Sequence, residues 1–169
     1  KRVEKYYITM GNLNPWYCIV FPWYFIMRTN MYNYICETPL VLTYIINNRK
    51  EIVNEFIKTY KDKNIEQIYL IGSGTSYHAG LSAKNYLEQI LNIKVFCMYP
   101  TQFARSEKVF NKNTLVIGIS QGGQSLSTVE GLDAATNNGL MTAAVSENPA
   151  ALIFEHAQTQ TQIEVGNEK

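Results

Sequence analysis

The octapeptide Gly118-Ile119-Ser120-Gln121-Gly122-Gly123-Gln124-Ser125 falls one residue short of a nucleotide-binding loop. That loop reads G-x-x-x-x-G-K-[ST], and its lysine reaches the β- and γ-phosphates. Gln124 occupies the lysine position and cannot supply the charge. What remains is a set of neutral donors: the Ser120 and Ser125 hydroxyls, the Gln121 amide, and backbone N–H groups beside glycine. A second stretch of the same chemistry, Gly72-Ser73-Gly74-Thr75-Ser76, lies earlier in the chain. Its glycines let backbone approach a ligand, and Ser73, Thr75 and Ser76 add hydroxyls. Each stretch runs into a predicted helix, whose free amides and dipole favour an anion.

The nucleotide readings fare worse. Tyr77 stands where G-x-G-x-x-G needs its third glycine, and Cys97-Met98-Tyr99 offers no acid for a ribose. Neither loop holds a lysine or arginine, so two hydroxyl-rich cradles suit one small phosphorylated ligand held by hydrogen bonds and helix ends. The plainer alternative, glycines that only turn the chain, explains one such loop more easily than a matched pair.

Other reactive side chains are sparse. His78 could act as a base beside the first loop, but its place in the first turn of a helix favours packing. His156 and Glu37 read as structural and surface residues. With two histidines far apart and Cys18, Cys36 and Cys97 scattered, neither a metal site nor a disulfide framework is expected, which suits a reducing, cytoplasmic location. No cofactor is called for.

The elements that must position the loops follow from periodicity. Thr38-Pro39 reads as a helix start, with apolar residues from Leu42 to Tyr60 recurring at spacings of three and four, giving a helix over 39–61. Short apolar strands are predicted at 67–72, 95–99, 115–119 and 141–145, and a fifth at 162–165. Between them fall helices at 76–91, after Ser127 (a capping box with Glu130, ended by Gly139), and after Asn148-Pro149. Strands that are apolar throughout and alternate with helices predict an α/β, three-layer αβα sandwich with a mostly parallel five-stranded, flavodoxin-like sheet. Ligands bind such sheets at the carboxyl ends of strands near the switch in strand order, where both loops stand.

The 169 residues suffice for one domain with a core. Net charge is +1, with 17% charged residues, so nothing argues for a nucleic-acid partner. Residues 1–30 differ from the rest: Trp16–Met27 is a dense aromatic run, too short to span a membrane. A packed arm, an extension without an evolved role, and a membrane-surface anchor stay open for it.

From Glu37 onward the sequence resembles the sugar isomerase (SIS) phosphosugar-binding domain. The residues that carry the likeness are ETP…L, IGSGTSYHAG, ISQGGQS and IEVGNEK. Within that family it is similar to the first SIS domain in the isomerase half of glutamine–fructose-6-phosphate aminotransferase and to fructosamine-6-phosphate deglycases. The resemblance covers about residues 31–169. It implies sugar-phosphate contacts from Gly74, Thr75 and Ser76 and from Ser120, Gln121, Gly122 and Ser125. The family's second loop usually has serine where this chain has Gly122, and often glutamate where it has Gln124.

The resemblance also implies what is expected to lie elsewhere. In two-domain members the catalytic glutamate, histidine and lysine come from a second SIS domain and a C-terminal tail. No second copy of the two loops occurs before Lys169. The expectation is therefore a phosphosugar-binding domain, for a hexose 6-phosphate or amino-sugar phosphate, of an isomerase, aminotransferase or deglycase. It would be inactive alone, with no assignable catalytic residue, and would form a homodimer or pair with a second SIS domain. The alternatives are a ligand-sensing SIS domain of a transcriptional regulator, for which residues 1–30 supply no helix-turn-helix, and an interaction module that has lost its ligand.

Overall fold

In the computed structural model, the backbone is described for residues 22–106 and 110–164, and side-chain surroundings from residue 32 onward. Most of the anomalous segment 1–30 therefore lies outside the described residues. The chain divides into two units, Lys1–Leu42 and Thr43–Lys169.

Helix α1 spans Pro22–Ile52. The expected start at Thr38-Pro39 does not hold: both residues lie inside the helix. Pro22 is itself a first-position proline, where a missing N–H costs nothing, and no glycine follows before Thr38 to break the helix. The Thr38 hydroxyl instead donates back to the Tyr34 carbonyl at 2.8 Å. Tyr32, Ile35, Leu40 and Leu42 are exposed along the first unit's part of α1. The expected helix over 39–61 is interrupted at Val53, after which α2 runs Asn54–Tyr60.

The second unit holds a five-stranded, wholly parallel sheet. Its strands are β1 Gln67–Gly72, β2 Lys94–Met98, β3 Thr114–Ile119, β4 Met141–Ser146 and β5 Thr159–Gln162. Between them come α3 Thr75–Leu91, α4 Pro100–Ala104, α5 Leu126–Asn137 and a turn of 3₁₀ helix, Leu152–His156. The strand order is β2-β1-β3-β4-β5, the doubly wound arrangement in which the order reverses between β1 and β3.

Both faces of the sheet are covered, as the unbroken apolar strands require. Alternate residues of β1 serve the two sides. Ile68 and Leu70 join Val95, Leu115 and Ala143 in a core roofed by Tyr60, Phe56 and Leu87. Tyr69 and Ile71 join Val116 and Ala144 under Phe103, Leu132, Ile153 and Phe154. The Tyr60 hydroxyl donates to the Thr142 carbonyl at 2.6 Å and accepts from Thr159 Oγ1 at 3.2 Å, tying α2 to the two last strands.

Three local expectations are corrected. The fifth strand is Thr159–Gln162, not 162–165: Thr159 and Thr161 are buried while Gln160 and Gln162 face out, which is strand alternation. The helix after Ser127 is capped by Ser125, whose Oγ accepts from the Thr128 N–H at 3.4 Å, so Ser127 and Glu130 form no capping box. Asn148-Pro149 makes a turn, with Asn148 Oδ1 accepting from the Ala150 N–H at 2.9 Å, and the helix begins only after Ala151.

Candidate functional site

The parallel register sets Gly72 beside Ile119, and Ile119 beside Val145. The segments leaving β1, β3 and β4 therefore emerge together at the carboxyl end of the sheet, and the first two flank the switch in strand order.

The first loop, 73–76, enters α3 through Gly74, whose φ of 57° is a left-handed value that suits glycine. No side chain caps α3. The Ser76 N–H bonds the Ser73 carbonyl and the His78 N–H the Gly74 carbonyl. Among the described residues nothing accepts from the amides of Ser73, Gly74 or Thr75. A 17-residue helix thus presents uncapped N–H groups at its positive end. Thr75 is exposed and Ser76 half-buried.

The second loop, 120–125, is held from behind. The Ser120 carbonyl accepts from the Gly123 N–H, the Gln121 carbonyl from Ser146 Oγ and the Glu147 N–H, the Gly122 carbonyl from Asn148 Nδ2, and the Gly123 carbonyl from the Ile153 N–H. The carbonyls of residues 120–123 are thus engaged, while the amides of Gln121, Gly122, Gln124 and Ser125 have no acceptor among the described residues. This is the polarity of an anion-binding nest: carbonyls engaged with protein, N–H groups available. Gln124, in the lysine position of the nucleotide loop, turns its side-chain amide to the Ala150 carbonyl at 3.4 Å.

Ser120 is 8% exposed, and its hydroxyl makes no hydrogen bond among the described residues. Ser125 is more committed than its sequence position suggests, since its Oγ also accepts from Thr128 Oγ1 at 3.0 Å. A line of hydroxyls then crosses between the loops: Ser125 Oγ to Ser127 Oγ at 3.1 Å, and Ser127 Oγ to Ser73 Oγ at 3.3 Å.

The structure therefore brings Gly74, Thr75, Ser76, Ser120, Gln121, Gly122 and Ser125 to one end of the sheet, as two adjoining loops. It adds Ser73 and Ser127, which bridge them, and the turn 146–153, which shapes the second. The sequence signal for that turn was Asn148-Pro149, read as a helix start and not as a support for the second loop. The stacked rings of Tyr77 and Tyr99, 4.4 Å apart, stand where α3 starts and β2 ends. His78 is exposed beside Tyr77 and makes no side-chain hydrogen bond among the described residues. His156 Nδ1 pairs with Asp133 Oδ1 at 2.7 Å, a link from the 3₁₀ turn to α5. Glu37 is exposed on α1 in the other unit. Burial pushes the Cys97 thiol up, away from the reactive thiolate. Among the described residues no group of three or more His, Cys, Asp or Glu converges, and no helix is long and apolar enough to cross a membrane.

Comparison with known proteins agrees with this geometry. The family model of the SIS domain matches residues 62–169. Glutamine–fructose-6-phosphate aminotransferase (isomerizing) of Clostridium tetani is 32% identical over 129 residues, 73% of this chain and 21% of that protein. The Fusobacterium nucleatum enzyme of the same name is 27% identical over 128 residues, again 21% of its length. Among solved structures, a candidate phosphosugar isomerase from Clostridium difficile 630 superposes with a TM-score of 0.72 at 37% identity, covering 80% of this chain and 38% of that one. The C-terminal domain of glucosamine-fructose-6-phosphate aminotransferase from Francisella tularensis shares the fold, with a TM-score of 0.67 at 19% identity. The chain thus spans about a fifth of the length of these aminotransferases.

Proposed function

Given that this chain belongs to the SIS domain family, we propose that it is a phosphosugar-binding domain whose two loops grip the phosphate of a hexose 6-phosphate or amino-sugar phosphate. The observation that carries the reading is the polarity of the cradle. Amides of Ser73, Gly74 and Thr75 on one side, and of Gln121, Gly122, Gln124 and Ser125 on the other, have no acceptor among the described residues at the adjoining ends of β1 and β3. No lysine or arginine lies on either loop. An anion there is held by N–H groups, hydroxyls and the α3 and α5 helix ends. The Ser76 and Ser120 hydroxyls are the side-chain contacts of the reading, and Thr75, Gln121 and Ser125 line its rim.

The chemistry attached to such a cradle is positioning. A gripped phosphate fixes the sugar so that a base can move a proton between C1 and C2, the step common to aldose–ketose isomerases and to the relatives that also handle an amino group. The groups of this chain hold and orient; the base belongs to another part of the protein or to a second SIS domain. Under this reading residues 31–169 form the domain and 1–30 an appended segment.

Calorimetric titration of the chain with fructose 6-phosphate and glucosamine 6-phosphate tests the proposal. Binding of at least one is expected, and Ser120→Ala should weaken it about tenfold or more, the value of a hydrogen bond to a charged group. No binding of either ligand, or binding indifferent to the double change Ser76→Ala with Ser120→Ala, would sink it.

A further inference from the structure

The line of hydroxyls between the two loops has a fixed direction. A serine hydroxyl carries one proton and two acceptor lone pairs. Ser125 Oγ accepts from the Thr128 N–H at 3.4 Å and from Thr128 Oγ1 at 3.0 Å, which fills both lone pairs. Only its proton remains, so in the 3.1 Å contact with Ser127 it is Ser125 that donates. Ser127 Oγ is then the acceptor, and its own proton goes to Ser73 Oγ at 3.3 Å. The Ser73 proton ends the line, with no acceptor among the described residues. Reversing the line would require a third donor to Ser125 Oγ.

The line starts in the core, where Thr128 is fully buried, and ends on the first loop, where Ser73 is exposed. The Ser73 carbonyl accepts from the Ser76 N–H at 3.2 Å, while its own N–H has no acceptor among the described residues. Ser73 therefore repeats the polarity of the second loop within one residue: carbonyl engaged, N–H and O–H available. Its oxygen meets Ser127 where the two loops adjoin. Ser125 is the opposite case, because its proton is already used inside the protein. Successive hydroxyls polarise one another, so Ser73 at the end of the line is a stronger donor than an isolated serine.

We propose that Ser73 is a further ligand-binding residue of the cradle: its hydroxyl donates to the bound phosphate in place of Ser125, and Ser127 is the positioning residue that sets its direction. The inference rests on the phosphosugar reading above. The probe is fructose 6-phosphate or glucosamine 6-phosphate, whichever the wild-type chain binds more tightly by calorimetry. Ser73→Ala should weaken it about tenfold, the value of one hydrogen bond to a charged group. Ser73→Thr and Ser73→Val separate hydroxyl from bulk: the threonine protein should stay within about threefold of wild type, and the valine protein should follow alanine. Ser127→Ala should weaken binding about two- to threefold in the wild-type background and leave it unchanged in the Ser73→Ala background, because it acts through the Ser73 hydroxyl. A purely structural Ser127 would cost the same in both. If Ser73→Ala binds like wild type, or the Ser127→Ala loss persists without the Ser73 hydroxyl, the assignment is refuted while phosphosugar binding stands on Ser76 and Ser120. If wild-type protein binds neither sugar phosphate, both readings fall together. Circular dichroism checks the fold of each variant, and the threonine–valine comparison decides the matter if Ser73→Ala does not fold.

Discussion

Gly123→Ala is the sharpest test of how the second loop is built. Gly123 has a φ of 71°, a left-handed value that costs a residue with a Cβ about 1–2 kcal/mol. Its added Cβ would also stand 2.1 Å from Ala151 Cβ and 2.8 Å from Ala151 Cα. Ordinary carbon contacts lie at about 3.5–4.0 Å, so something must move by more than an ångström. Ala151 is 3% exposed and cannot yield outward. Displacing the loop instead breaks the bond from the Ile153 N–H to the Gly123 carbonyl. Overpacking of this kind costs about 1–3 kcal/mol, and with the backbone term the loss comes to about 2–5 kcal/mol. At about 2–4 °C per kcal/mol for a chain of this size, Tm should fall by about 5–20 °C. Gly122→Ala is the control: nothing lies within 4 Å of its Cβ, and its effect should stay within about 0.5 kcal/mol. Urea denaturation followed by circular dichroism reads both, and calorimetry reads sugar-phosphate binding. A Gly123→Ala protein within 1 kcal/mol of wild type that still binds normally would show that the loop is not clamped against Ala151, and the account of the cradle would fail with it.

Other outcomes follow from the same geometry. Gly122→Ser has room for its side chain and restores the hydroxyl that the family usually places there, so affinity for a sugar phosphate should rise by up to about tenfold in the same titration; unchanged affinity would mean that position 122 does not face the phosphate. Tyr60→Phe should cost about 1–2 kcal/mol in urea melts at neutral pH, because the Thr142 carbonyl and Thr159 hydroxyl lose their partner. Burial raises the Tyr60 phenol above its ordinary value, partly offset by Thr159. The folded state therefore holds that proton longer than the unfolded chain does. This stabilisation is complete below about pH 10 and is lost as pH climbs through the raised folded value. Tyr60→Phe should flatten the alkaline loss without abolishing it, since burial also raises Tyr69; an identical alkaline profile would contradict this.

The sheet was legible because apolar runs such as Tyr69–Ile71 admit little but a strand covered on both sides, and the loops because glycine and hydroxyl residues cluster at two strand ends. The N-terminal half of α1 was not, since Thr38-Pro39 has the chemistry of a helix start wherever it stands, and only Pro22 upstream outranks it. Ser125 and Ser127 compete for one cap, and three residues of spacing to Glu130 favoured the wrong one. The supporting turn was hidden for a different reason. Ser146 and Asn148 look like ordinary loop residues until the register sets β4 beside β3.

The bonds from Ser146, Glu147, Asn148 and Ile153 to the carbonyls of 121–123 make the recognition unit discontinuous in sequence. The octapeptide that looks like a portable motif is half of an object whose other half lies some 25 residues downstream. Grafting GISQGGQS alone into another scaffold would transfer the letters without the shape. Conversely, substitutions at Ser146, Asn148 or Ile153 can erase recognition by releasing the second loop, so variants that map there belong with the binding phenotype and not with neutral surface change.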